Sequence, residues 1–430
     1  MPACDRCSNI KAKCVRDASQ DKCERCRRLL LSCTFLKPAK PRGRRSHKSR
    51  TGTAGELVWV QNNTLPVMRN ALEGLSPPEV DLLRAMTQVT DGPNPLAIAP
   101  SRFREVQVSI KTELERSPAL LQRPLVTLWK AYGRLRMGQA VHNDTDVSRI
   151  SDAMRSLRIT ELHDPELLAS IFVLCRCLVD YELLYNGRSA HIIYRNVLTR
   201  LKQSPLYDAS GSMLTHDGLS LVWMDAIESL LRRRVPALPC TFPDGNGYVD
   251  GFTGVAKTLL PLIYEICRLG AASNVEAVLF DQIKRNVTAW SPIYPTEEGL
   301  SEAEIILLCT HANMYKLTLL LILQQYQDTV PARTAEAADI LQYARLSIQK
   351  VGYITPYSMM PLFIAGLELG LEDDQEKLLE CMASIPSSAK HKPYIRMIDF
   401  MKHFWIRRRE DSAASWLLLL DQMPAFNITP

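Results

Sequence analysis

Six cysteines, Cys4, Cys7, Cys14, Cys23, Cys26 and Cys33, follow the spacing C-x2-C-x6-C-x8-C-x2-C-x6-C. The stretch is one unit written twice. Each cysteine of CDRCSNIKAKC recurs 19 positions later in CERCRRLLLSC, and Asp5-Arg6 returns as Glu24-Arg25. Half of the chain's 12 cysteines therefore stand in its first 33 residues. Thiolates gathered at repeated short spacing suit a soft, tetrahedral metal, zinc above all. A disulfide framework needs an oxidising compartment. The start, MPACDRC, is polar and charged and lacks the apolar run of a secretory signal.

The ligand count sets the number of metals. A segment of about 30 residues cannot bury enough apolar surface to fold unaided, so bound metal must supply its folding energy. One zinc would use four cysteines and strand two. Two zincs need eight ligand positions, and six thiolates fill eight if two of them bridge. Cys4 and Cys23, the equivalent first members of the two halves, are the natural bridges. Cys7 with Cys14, and Cys26 with Cys33, then complete the two sites. Each Cys-x-x-Cys pair opens a short helix, and an extended return brings the third cysteine back to the metal.

This array resembles the fungal zinc binuclear cluster found at the start of many fungal transcription factors. The resemblance covers residues 4–33 and includes the Lys-x-Lys-Cys ending, here Lys11-Ala12-Lys13-Cys14. It implies two zinc ions and double-stranded DNA as the partner. Two positions depart from the family pattern. Ser8 and Asn9 stand where basic residues are usual, and the loop stretch ASQDK has no proline.

The two halves differ in a way that says which one reads DNA. Aligned, Lys11 faces Leu30 and Lys13 faces Ser32, while Ile10 and Ala12 face Leu29 and Leu31. The first helix ends basic and the second ends apolar, so the second packs the module. Lysine can donate to guanine N7 and O6 in the major groove. The resemblance implies that Lys11 contacts bases of a CGG-type triplet. It places Lys13 and Arg16 near the backbone, with Arg27 and Arg28 as phosphate contacts.

Charge agrees with this reading. Residues 1–55 hold 15 Lys+Arg against 4 Asp+Glu, whereas the whole chain carries +6. A basic arm on a mildly acidic body is the electrostatic footprint of nucleic-acid binding. Residues 37–56, KPAKPRGRRSHKSRTGTAGE, carry seven Lys/Arg and no acid before Glu56. They are expected to be a disordered linker serving nuclear import and DNA-backbone contact. Residues 56–75 show no sustained heptads and contain Pro66, which argues against a zipper. Any homodimer would form through the body.

Residues 76–430 read as helical throughout. Ser76-Pro77-Pro78-Glu79 and Asp164-Pro165-Glu166 are helix starts, with proline in the first turn. Further runs such as GLSLVWMDAIESLLRRR, SEAEIILLCTHANMYKLTLLLILQQYQ and AEAADILQYARLSIQK lack strict alternation, so no sheet is expected. Several lack a polar stripe and should be buried, in a body large enough for two packed subdomains. The apolar stretch 305–323 contains His311, Asn313 and Lys316, which argues against a membrane span. Residues 355–370, TPYSMMPLFIAGLELG, with Trp405 and Trp416, resemble the fungal-specific transcription factor regulatory domain. Relatives of that kind use the region for effector response, dimer contacts and transcriptional control.

Enzyme-like signals are weak. Gly251 to Thr258 echoes a phosphate loop, but the second glycine does not directly precede Lys257. Cys309 with His311, and Cys175 with Cys177, are two apart, which a helix turns to different faces.

The expectation is a small zinc-stabilised DNA-binding module (residues 1–36), a basic linker (37–75) and a large all-α regulatory domain (76–430). The corresponding function is a nuclear, non-enzymatic, sequence-specific transcription factor working with transcription machinery or co-regulators. The alternative is a nuclear co-regulator whose cluster is structural and does not read DNA.

Overall fold

The computed structural model describes residues 14–15, 22–28, 33, 73–87, 97–141, 143–207, 214–239, 249–272, 277–295, 299–327, 335–386, 392–411 and 414–423. Two compact units are distinguished, Met1–Gln61 and Asn62–Pro430. In the first, the described helix is α1 (Glu24–Arg28).

The second unit is built of helices. They are α2 (Pro77–Thr87), α3 (Pro100–Arg116), α4 (Pro118–Arg136), α5 (Asp144–Ile159), α6 (Pro165–Tyr185), α7 (Ala190–Gln203), α8 (His216–Leu231) and α9 (Leu260–Ala271). There follow α10 (Ala277–Ala289), α11 (Glu302–Tyr326), α12 (Ala335–Val351), α13 (Met359–Glu368), α14 (Glu372–Ala383), α15 (Lys392–Glu410) and α16 (Trp416–Asp421). Among the described residues there is no strand, and the one isolated bridge joins Asp250 to Gly254. The molecule is thus all-α, with a cysteine group near its start.

The helix starts read from the sequence form as the local chemistry dictates. Ser76 donates its amide and hydroxyl to the Glu79 carboxylate, at 3.0 and 2.9 Å. Asp164 accepts the Glu166 amide at 2.9 Å. Ser301 and Glu304 form a reciprocal capping box ahead of α11.

Helix α11 is long and apolar enough to cross a membrane by length and composition, and most of that stretch is buried in the body. It packs along α12, and α6 packs against α4, α7 and α8. One contiguous apolar cluster runs through these helices rather than the two subdomains that the length of the body suggests. Its largest wholly buried side chains include Phe172, Tyr194, Tyr315, Phe363, Phe404 and Trp416. Each such burial contributes roughly 1.5–3 kcal/mol or more from transfer alone.

The segment TPYSMMPLFIAGLELG turns out to be a 3-10 turn, Pro356–Ser358, leading into α13, and all of α13 is buried. Gly366 allows this: a Cβ there would come within 2.5 Å of Met401 Sδ on α15. Trp405 then reaches across and donates its Nε1–H to the Gly366 carbonyl at 2.7 Å. Gly254, at φ +60°, packs against Leu308 and Ile98 in the same way, so the phosphate-loop echo is a buried packing turn.

Candidate metal centre

Three of the six cysteines converge. The sulfur atoms of Cys23, Cys26 and Cys33 all lie within 4.8 Å of one another. Four sulfurs around one zinc stand about 3.8 Å apart, given Zn–S bonds near 2.3 Å. Cys23 and Cys26 are buried, at 0% and 1% exposure, and Cys14 and Cys33 pack against them half-buried. The local backbone explains the convergence. α1 starts immediately after Cys23, which places Cys26 one turn on, and the Arg27 amide bonds to the Cys23 carbonyl at 2.9 Å. The Glu24 amide donates to the Val15 carbonyl at 3.0 Å, pinning the end of the first half to the start of the second helix. Cys14 is brought to the group by that contact.

Two amides point at sulfur. Cys26 N–H donates to Cys23 Sγ and Cys23 N–H donates to Cys33 Sγ, each at 3.4 Å. Such donors stabilise thiolate charge and orient the ligands. A thiol-only donor set, buried and amide-supported, fits a soft tetrahedral metal. Arg27 and Arg28 lie on the exposed side of α1. Cys4, Cys7, Lys11, Lys13 and Arg16 lie outside the described residues, as do the linker and most of 56–75.

The body holds a second polar constellation, which the sequence reading passed over. Arg176 and Asp180, one turn apart inside the apolar helix α6, pair at 2.9 Å with both side chains buried. The guanidinium sits 4.5 Å from the centre of the Phe252 ring. Burial works against that cation, but Asp180 outweighs it and holds Arg176 protonated. Asp217, at the start of α8, is buried, and its carboxyl is pushed up to about 6.

Beside it, His216 Nδ1 meets Asp250 Oδ2 at 3.0 Å. Burial favours neutral His216, but the Asp250 bond wins and raises its pKa. The other Asp250 oxygen accepts the amides of Phe252 and Thr253 at 2.9 and 2.7 Å. A charged i,i+4 pair in an otherwise apolar helical run was the signal available in LLASIFVLCRCLVDYELLY. The neighbouring Cys175 and Cys177 are buried, and burial raises both thiols, as expected of core residues. His311 is wholly buried and burial lowers it to about 3, while Cys309 is half-buried.

A family model described as "Fungal specific transcription factor domain" matches residues 147–426. No curated protein and no solved structure matches the chain. The matched stretch begins in α5 and extends past α16, taking in the buried α13 and the Arg176 constellation.

Proposed function

The chain belongs to the family with the fungal-specific transcription factor domain, and on that premise we propose that its N-terminal cysteines hold two zinc ions in a head that reads duplex DNA. The family makes the protein a fungal transcription regulator, with DNA and the transcription machinery as the partners it suggests and the nucleus as the place. The finer reading concerns residues 1–36. Cys4 and Cys23 bridge the metals, Cys7 with Cys14 and Cys26 with Cys33 complete them, and Lys11 presents its ammonium to guanine in a CGG-like triplet. Lys13, Arg16, Arg27 and Arg28 contact phosphates. Residues 37–75 form the basic linker, and residues 76–430 regulate.

The observation that carries this reading is the convergence of Cys23, Cys26 and Cys33 with amide donors on two of the sulfurs. Those three are the bridge and terminal pair that the repeat assigns to one metal. Zinc bound there supplies folding energy rather than reactivity. Nothing in this role calls for catalysis.

Native mass spectrometry of the full chain tests the metal count: two zincs are expected. Cys4→Ser or Cys23→Ser should lose both, whereas Cys33→Ser should spare one. Selection of bound sites from random duplex tests the DNA reading. A head touching about 3–5 phosphates should show log K falling with log salt at a slope of roughly −3 to −4. Lys11→Ala should cost about 1–3 kcal/mol on the preferred triplet and relax the preference there. A uniform loss on all sequences would make Lys11 a backbone contact. Two zincs with no preference for GC-rich over random duplex would favour the co-regulator reading that Ser8 and Asn9 leave open.

A further inference from the structure

Four serines of the chain stand directly before proline: Ser76, Ser117, Ser204 and Ser291. The fold engages the first three. Ser76 donates its hydroxyl to the Glu79 carboxylate at 2.9 Å, and Pro77 and Pro78 run straight into α2. Ser117 joins α3 to α4, and its hydroxyl accepts from Ser170 at 3.0 Å. Ser204 is buried, and its hydroxyl donates to the Leu162 carbonyl.

Ser291 differs from all three. It is exposed, and its hydroxyl has no hydrogen-bond partner among the described residues. The stretch 291–295 between α10 and α11 has no regular element and makes no backbone hydrogen bond among the described residues. Both of its ends are anchored. Trp290 donates its Nε1–H to Thr258 Oγ1 at 3.2 Å, and Pro295 is buried. Between the anchors Ile293 and Tyr294 turn outward, at 39% and 63% exposure. A proline biases the residue before it to extended backbone, so Pro292 and Pro295 favour that form at Ser291 and Tyr294.

An extended, solvent-facing segment with free backbone groups is the form in which a cleft takes up a peptide. Pro292 then selects the enzyme. It has no N–H. A kinase whose pocket for the next residue offers no acceptor loses nothing with proline there, and strands the amide of any other residue. No Lys or Arg stands within five residues of Ser291 on either side, which leaves a kinase selecting basic neighbours nothing to recognise.

We propose that Ser291 is a phosphorylation site for a proline-directed serine/threonine kinase. The Ser291 hydroxyl oxygen attacks the γ-phosphorus of ATP. The bond from that phosphorus to the β–γ bridging oxygen breaks, ADP leaves, and the hydroxyl proton passes to the catalytic carboxylate of the kinase. The product carries a phosphate on an exposed loop within the matched domain, residues 147–426. The modification changes the surface charge of the body and leaves its core untouched. The proposal goes beyond the reading of the cysteine head and stands whatever that head binds.

The test incubates the full chain with ATP, magnesium and a purified proline-directed kinase, and follows each site by peptide mass spectrometry. Reading by peptide keeps Thr429-Pro430, which lies outside the described residues, apart from Ser291. Ser291 should gain phosphate at least about tenfold faster than Ser76, Ser117 or Ser204, whose engaged hydroxyls wait on local opening. Pro292→Ala keeps the serine on its loop and should slow its modification at least about tenfold. A purified kinase that selects basic residues should leave Ser291 unmodified. Should Pro292→Ala unfold the chain, the wild-type rates with the two kinases carry the test alone. The proposal is overturned by a Ser291 that the proline-directed kinase leaves unmodified or modifies no faster than Ser204. An unchanged rate in a folded Pro292→Ala variant, or equal rates with the two kinases, would overturn it as well.

Discussion

Among the described residues of the first unit, those buried are Cys23 and Cys26, with Cys14 and Cys33 packed beside them. In the second unit the buried residues form one apolar cluster running from Leu83 to Leu420. Both units must offset the conformational entropy of an ordered backbone, about 1–2 kcal/mol per residue. The body does so with area. The cysteine segment of the first unit, about 30 residues, is too short for that, and its sulfurs point to a coordination bond instead. Cysteine accordingly means different things in the two places. Cys23, Cys26 and Cys33 gather their sulfurs and receive amide hydrogens. Cys175, Cys177 and Cys267 are spread through the core, and burial raises their thiols away from ionisation.

A zinc chelator acts on the two units differently. Stripping metal should unfold the first unit outright, since apparent zinc-binding free energies in small domains are about 10–16 kcal/mol. The body should keep its melting transition and its helical circular dichroism. Calorimetry of the full chain with and without chelator checks this. Loss of the body's transition on chelation would show that its stability depends on the metal.

The reverse experiment removes area. Phe363 is wholly buried on α13 and stacks at 5.7 Å, tilted, against Phe400 of α15. Phe363→Ala should cost the body about 3–5 kcal/mol. The zinc content of the chain should be unchanged, which mass spectrometry reads directly.

How far the sequence disclosed these two regions follows from the range of the interactions. The cysteine repeat is legible because metal ligands must recur at fixed short spacing. Helix starts at Pro77 and Pro165 are legible because capping is local. The Arg176 constellation was legible only in its i,i+4 pair with Asp180, and its other partners were not. It joins α3, α4, α6, α8 and the turn at Phe252, whose side chains meet only after packing. The same holds for Glu368, which accepts hydrogen bonds from Gln325 and Trp416 across three helices at 2.8 and 2.6 Å.

Acid acts on buried titratable groups of the body. His311 is wholly buried against Tyr315, with ring centres 4.9 Å apart, and its pKa falls to about 3 because burial disfavours the cation. Unfolded histidine takes a proton near pH 6.5, so between about 6.5 and 3 the unfolded state binds more protons than the folded one. Stability from this residue therefore rises with pH through that window and is lost as pH falls, by on the order of a few kcal/mol. Asp217, raised to about 6, works in the opposite direction between about 3.9 and 6. The discriminating measurement is the difference between wild type and His311→Leu. The leucine variant should flatten the acid-side loss of stability, and an unchanged pH dependence would remove His311 as its source.

Ion pairs of similar length stand in different surroundings on the body. Glu79 is buried and takes Lys130 and Arg149 at 2.5 and 2.7 Å, joining α2 to α4 and α5. Burial pushes its carboxyl up, but those two cations together with Ser76 hold it well below the usual range. Removing that carboxylate as Glu79→Gln leaves two cations, a quarter to a third exposed and so partly solvated, short of a counter-charge and should cost about 1–3 kcal/mol. Arg155 and Asp152 pair at 2.9 Å on α5 with side chains 73% and 64% exposed. There water already solvates both charges, and holding two long side chains together loses rotamer freedom. Arg155→Ala should lower the unfolding free energy by no more than about a few tenths of a kcal/mol. A loss near that of Glu79→Gln would mean that distance, rather than burial, sets the worth of these pairs.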